Sequence, residues 1–234
     1  MPISRSYSIS LPHLICDSPV NIGLVLDRGV FTALIIPGST YSYALGINNA
    51  GQIVGESDTG GYLDSNGIIT LIRTPTGDTG EPYGINNSGR IVGTFHSNGV
   101  LGFVYDNGNF TFINAPNGLN ESAAYTYGIN DSGQIVGTYF VGEVSPSTSV
   151  TSHGFVEANG TFQVIDVPGS IDTEVHGINN SGVLVGTFLD SNRVEHGFFA
   201  TPVPEPASVL LSLAGLALLA GPFRRAHSIT SRSV

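Results

Sequence analysis

A ten-residue phrase occurs four times in this chain of 234 residues, and it constrains the fold more than anything else does. It reads Gly46-Ile47-Asn48-Asn49-Ala50-Gly51-Gln52-Ile53-Val54-Gly55, then GINNSGRIVG from Gly84, GINDSGQIVG from Gly128 and GINNSGVLVG from Gly177. Recurrence at periods of roughly 20–50 residues marks solenoids, propellers or arrays, in which each unit buries its apolar face against a neighbour.

Within the phrase, β-prone residues flank a four-residue turn. Asn enters turns by bonding its side chain to nearby backbone, and the fourth turn position is Gly each time, as a positive φ requires. The phrase is therefore a hairpin. A second phrase alternates with it. Gly23-Leu24-Val25-Leu26-Asp27 leads through Gly29 to the β-prone residues 30–36 and Pro37. Its counterparts run from Gly61 through Asp64 to Pro75, from Gly102 through Asp106 to Pro116, and from Gly154 through Glu157 to Pro168. Each is two short β-prone runs around an Asn/Gly turn, closed by a proline that cannot donate to a ladder.

One unit therefore holds four short strands, the pattern of a propeller blade. The expected fold is all-β: a repeat protein forming a small β-propeller-like ring of four to five four-stranded units, with an open stack as the alternative. The chain starts on the second pair of a unit and ends on a lone strand, His196-Gly197-Phe198-Phe199-Ala200. The N-terminal pair is expected to clasp that last unit and remove its exposed edge. Residues 21–200 form this repeat domain. Residues 1–20 carry Arg5 but no continuous apolar run of the kind a secretory leader needs; they read as an edge strand or a truncated leader.

Charge narrows the function. The formal net charge is −10 and the sequence contains no lysine. Nucleic-acid binding rests on phosphate neutralisation by Lys and Arg, so this class is excluded. Cys16 is the only cysteine, so no intrachain disulfide forms.

Composition changes abruptly after Ala200. Residues 201–206 include three prolines and cannot build a ladder. Residues 207–223 hold no charge and are dominated by Leu and Ala, followed at once by Arg224 and Arg225. That length suits a short transmembrane helix, and the arginines give it a cytoplasmic flank within the basic tail 224–234. Val203-Pro204-Glu205-Pro206, the apolar run and the Arg224-Arg225 pair resemble the PEP-CTERM sorting signal of Gram-negative bacteria. The resemblance implies recognition by an exosortase, a membrane transpeptidase-like enzyme. It implies an inner-membrane-anchored precursor and release or attachment at the cell surface, often beside exopolysaccharide.

The repeats resemble the extracellular HAF-type repeats. His153-Gly154-Phe155 and His196-Gly197-Phe198 match the first part of that pattern, and the phrases from Gly46, Gly84, Gly128 and Gly177 match the second. That family implies location and architecture rather than chemistry.

For ligand contacts, Asp27, Asp64, Asp106 and Glu157 fall just before the turn glycines and are expected along one rim, where they contact a ligand or simply stabilise turns. Asn48-Asn49, Asn86-Asn87, Asn130-Asp131 and Asn179-Asn180 of the four phrases face the same choice. His153 and His196 come from separate units and do not amount to a metal site. No nucleophile elbow, phosphate loop, HExxH or CxxC is present, and neither a metal nor another cofactor is expected. Three functions remain: an exported, non-enzymatic, structural or carbohydrate-contacting repeat protein; a carbohydrate-active propeller enzyme with opposed carboxylates; or a plain C-terminally anchored membrane protein.

Overall fold

The structure is a computed structural model, and it describes residues 22–27, 29–74, 77–96, 100–114, 124–141 and 150–203, apart from the side chain of Asp27. It is all-β over these residues. Residues 1–20, Pro204-Glu205-Pro206, the apolar run 207–223 and Arg224-Arg225 lie outside them, and so do the insert 142–149 and Pro75 and Pro116. Among the described residues no helix is long and apolar enough to cross a membrane.

Among the described residues, seventeen strands form one antiparallel hairpin and four antiparallel meanders. β1 (Gly23–Asp27) and β2 (Val30–Leu34) pair only with each other among the described residues. β3 (Ser42–Ile47), β4 (Ile53–Ser57), β5 (Gly60–Ser65) and β6 (Ile68–Leu71) make the first full sheet. β7 (Gly80–Ile85), β8 (Ile91–Phe95), β9 (Leu101–Asp106) and β10 (Asn109–Ile113) make the second. β11 (Ala124–Ile129), β12 (Ile135–Val141), β13 (Thr151–Ala158) and β14 (Thr161–Ile165) make the third. β15 (Asp172–Ile178), β16 (Leu184–Leu189) and β17 (Glu195–Ala200) make the fourth, one strand short. The four sheets are arranged blade after blade as in a four-bladed propeller.

Both turn types have the geometry that the sequence suggests. Asn66-Gly67, Asn107-Gly108 and Asn159-Gly160 connect their strands with positive φ at both residues, the type I′ hairpin loop that Asn-Gly favours. In the ten-residue phrase, Asn48 Oδ1 accepts the N–H groups of Ala50 and Gln52 at 3.1 and 3.0 Å. Asn86 and Asn179 repeat the arrangement, and Asn130 Oδ1 accepts the Gln134 N–H and the Ser132 hydroxyl.

These asparagines also stitch one sheet to the next. Asn48 Nδ2 donates to Asn86 O at 3.1 Å, Asn86 Nδ2 to Asn130 O at 3.1 Å, and Asn130 Nδ2 to Asn179 O at 3.2 Å. A parallel series runs from Asn49 N to Asn87 Oδ1, Asn87 N to Asp131 Oδ1, and Asp131 N to Asn180 Oδ1, all at 2.8–2.9 Å. The Asn residues thus serve the turn and the sheet-to-sheet contact together, a second task that turn chemistry alone does not suggest.

The phrase's last glycine is fixed by crowding. A bulge interrupts the first strand of each full sheet and of the fourth, and a Cβ on Gly55, Gly93, Gly137 or Gly186 would lie 1.8–2.2 Å from the carbonyl oxygen of Tyr43, Glu81, Tyr125 or Glu174. The Tyr62 hydroxyl and the rings of Phe103, Phe155 and Phe198 approach these glycines. Tyr62, Phe103 and Phe155 are fully buried. Apolar cores fill the spaces between sheets: Val54 packs in one cluster with Ile85, Val92 with Ile129, and Val136 with Val175.

The expected clasp is not made. β17 carries the His-Gly-Phe phrase and pairs with β16, so it already holds the third-strand place that the N-terminal pair would take. β1 instead lies against β3, where Gly23 N–H donates to Ser42 Oγ at 3.1 Å. The fourth sheet does not pack substantially on the first among the described residues.

Candidate functional site

The first strand of the second, third and fourth sheets carries a polar or aromatic residue at the bulge and another two positions before it: Glu81 and Tyr83 on β7, Tyr125 and Tyr127 on β11, Glu174 and His176 on β15, where the first sheet has Tyr43 and the apolar Leu45 on β3. Because the sheets stack in order, these residues form one strip. Tyr83 and Tyr127 meet edge to face with centroids 5.4 Å apart, Tyr125 and Tyr127 stack at 5.9 Å, and Tyr127 tilts against His176 at 5.4 Å. Most of these side chains are half-buried. An edge-to-face or offset arrangement suits the ring quadrupoles, and each tyrosine also carries a polar tip.

The strip opens into a cleft of about 590 Å³ between the first and second sheets. Tyr41, Glu56, Asp58, Arg73, Glu81 and His96 line it. Glu81 Oε2 accepts the Tyr83 hydroxyl at 2.7 Å and stands 3.2 Å from His96 Nε2. Burial lifts the Glu56 carboxyl above its usual range, the Glu81 charge adds to the effect, and His96 opposes it. Asp58 goes the other way. Bonds from the Ser39 and Thr40 side chains, with the Thr40 N–H, hold it down at about 2. Burial pushes the Tyr127 hydroxyl up to about 12, helped by the Glu174 and Tyr125 charges. Tyr83 is raised as well, by burial first and then by Glu81. These tyrosines therefore stay protonated and can donate at neutral pH.

A second groove, of about 570 Å³, lies between the second and third sheets and contains Arg90, Phe112, Glu157 and Phe162. Arg90 Nε is 3.7 Å from Asp106 Oδ2.

The rim acids separate into two pairs. Asp27 and Asp106 pair across the hairpin with Val30 and Asn109, directly at the turn. Asp64 and Glu157 lie one residue earlier, opposite Ile53 and Ile135, so they belong on the other face of their sheets. Glycine-to-acid spacing shows the offset: three residues intervene in Gly23–Asp27 and Gly102–Asp106, but two in Gly61–Asp64 and Gly154–Glu157. Asp64 Oδ1 accepts the Gly67 N–H at 2.7 Å, and Glu157 Oε1 accepts that of Gly160. Turn chemistry occupies these two, and they stand one strand position away from the place that Asp106 holds.

His153 lies 3.1 Å from Asp166 and stacks on Tyr139; His196 lies 3.1 Å from Asp190 and stacks on Phe188. The two do not converge, and the described residues include no group of three or more His, Cys, Asp or Glu side chains arranged to hold a metal.

Sequence reasoning passed over Glu56, Asp58, Glu81 and His96. Glu56, the residue after the first phrase, is Thr94, Thr138 and Thr187 in the others, so no repeated motif marks it. No protein-family model matches the chain, and no curated protein matches it.

Proposed function

We propose that this is an exported, non-enzymatic repeat protein, sorted by its C-terminal tail to the cell surface or matrix, whose β body contacts saccharide along the tyrosine–glutamate strip. One observation carries this reading: Tyr83, Tyr125, Tyr127 and His176 form a continuous aromatic surface, with Glu81 and Glu174 interleaved, across three sheets. Aromatic faces pack on the C–H faces of sugar rings, while carboxylates and phenol groups take the hydroxyls. The acidic balance favours a neutral polymer over a uronate-rich one. Calorimetric titration of the full chain with a soluble neutral glucan tests this: Tyr127→Ala and Glu81→Gln are each expected to weaken binding at least tenfold.

The sorting half rests on Pro204-Glu205-Pro206, residues 207–223 and Arg224-Arg225, with an exosortase-type enzyme, the inner membrane and exopolysaccharide as partners. Replacing Pro204 and Pro206 by alanine and following the size and location of the chain tests it. Unchanged processing would leave a plain membrane anchor.

A carbohydrate-active enzyme is the second reading, supported by Glu56 and Glu81 in one cleft with the Glu56 pKa raised. A raised carboxyl suits a general acid, and a second carboxylate suits a base or nucleophile. Glu56→Gln would then abolish hydrolysis of a glucan while sparing its binding; an unmodified glucan after prolonged incubation with the wild-type chain counts against the enzyme.

A further inference from the structure

The contact between the first and second sheets and the contact between the second and third are built from equivalent positions, and they differ at a few of them. In the earlier contact a phenol ring fills the space. Tyr105 and Phe110 of the second sheet have ring centroids 4.9 Å apart and pack, with Leu63 of the first, on the cluster that holds Val54, Ile72 and Ile91. The polar pair there is uncharged: Gln52 Nε2 donates to Ser65 Oγ at 3.3 Å.

In the later contact Glu157 takes the place of Tyr105. Tyr105 stands opposite Ile91 and Phe110, and Glu157 stands opposite Ile135 and Phe162, in the same register. Arg90 and Asp106 replace Gln52 and Ser65, with Arg90 Nε 3.7 Å from Asp106 Oδ2. The groove of about 570 Å³ lies at this place, walled by Val104 and Ile113 of the second sheet and by Ile135, Glu157 and Phe162 of the third.

Glu157 is 7 % exposed, and Gly160 N–H, bonded to Oε1, is the one donor it meets among the described residues. Buried carboxyl oxygens call for hydrogen-bond donors, so Oε2 is left for a donor in the groove. The remaining walls are aliphatic or aromatic. They suit the two faces of an aromatic ring, whereas a sugar ring would press hydroxyls against them.

We propose that this groove binds a small uncharged phenol. Its ring lies between Val104 and Ile113 on one side and Ile135 and Phe162 on the other, where Tyr105 supplies a ring from within the chain one contact earlier. Its hydroxyl donates to Glu157. None of these residues belongs to the tyrosine–glutamate strip, so the site stands independently of saccharide binding.

Calorimetric titration of the full-length chain with para-hydroxyphenylacetamide, and with phenylacetamide as the analogue lacking the hydroxyl, tests this. Wild type is expected to bind the phenol saturably and the analogue at least tenfold more weakly, because the analogue leaves the Glu157 acceptor unpaired. Glu157→Ala keeps the groove open without the acceptor and is expected to bind the phenol no better than wild type binds the analogue. Glu157→Tyr restores the ring found at position 105, and is expected to bind neither compound and to melt higher than wild type. Absence of saturable phenol binding by the wild type overturns the inference. So does equal binding of the two compounds. Phenol binding left unchanged in Glu157→Ala also overturns it, by assigning the ligand to another surface, and this variant decides the matter if Glu157→Tyr does not fold.

Discussion

The second and third sheets differ from the sheets at the ends of the series although the same ten residues build them. Val92 and Val136 are sealed between neighbours, while Val185, spelled by the same phrase, faces outward. Among the described residues, Asn86 both donates to and accepts from neighbouring sheets, while Asn179 accepts only. Burial in a stacked array belongs to the interface between units rather than to the unit itself. A repeat that reads identically in sequence can therefore be core in one copy and surface in another.

The sharpest way to break this contrast is to truncate one aromatic on the third strand of a flanked sheet and one on the third strand of the last sheet. Phe103→Ala empties a fully buried site between the first and second sheets and is expected to cost about 3–5 kcal/mol. Phe199→Ala, on the outward face of the fourth sheet, is expected to remain within about 0.5 kcal/mol of wild type. Paired urea titrations read both. Equal losses would mean that the fourth sheet is covered.

Next in size is the asparagine series. Asn86→Ala removes the turn bonds to Ser88 and Arg90 and also the donation to Asn130 O, at an expected cost of about 2–3 kcal/mol. Asn179→Ala removes turn bonds alone and is expected to cost about 1 kcal/mol. The difference in unfolding midpoint isolates the sheet-to-sheet bond.

The smallest effects come from two acids lining one cleft. Glu56 has a raised pKa in the folded chain, so folding takes up protons there, and stability falls as pH rises from 4.5 through the folded value. Glu56→Gln is thus expected to melt slightly higher at neutral pH, with the advantage vanishing below 4.5. Asp58 has a lowered pKa, so its contribution is complete above 3.8 and lost as pH falls toward about 2. Asp58→Asn is expected to flatten the melting curve over that lower window only. Thermal melts between pH 2 and 7 separate the two signs.

Much of the fold was legible because repetition reports strand and turn positions several times over. The Asn-Gly loops, the four-stranded unit and the lone β17 all follow from local backbone chemistry. The absent clasp was also implicit: His196-Gly197-Phe198 aligns with His153-Gly154-Phe155, which places β17 third in its sheet, where β1 would have to go. The site was harder to see. Glu81, Tyr83, Tyr127 and His176 differ in type from unit to unit, and only the stacking of the bulged inner strands brings them together. The one-residue offset among the rim acids shows why matching residue types mislead: a single step along a strand reverses the face.

The saccharide strip is the central claim, and calorimetric titration of a soluble neutral glucan into the full-length chain and its Tyr83→Ala/Tyr127→Ala double variant tests it most directly. Saturable binding by the wild type and a loss of at least tenfold in the folded double variant is the predicted result. No binding by the wild type, or equal binding by both, would contradict it.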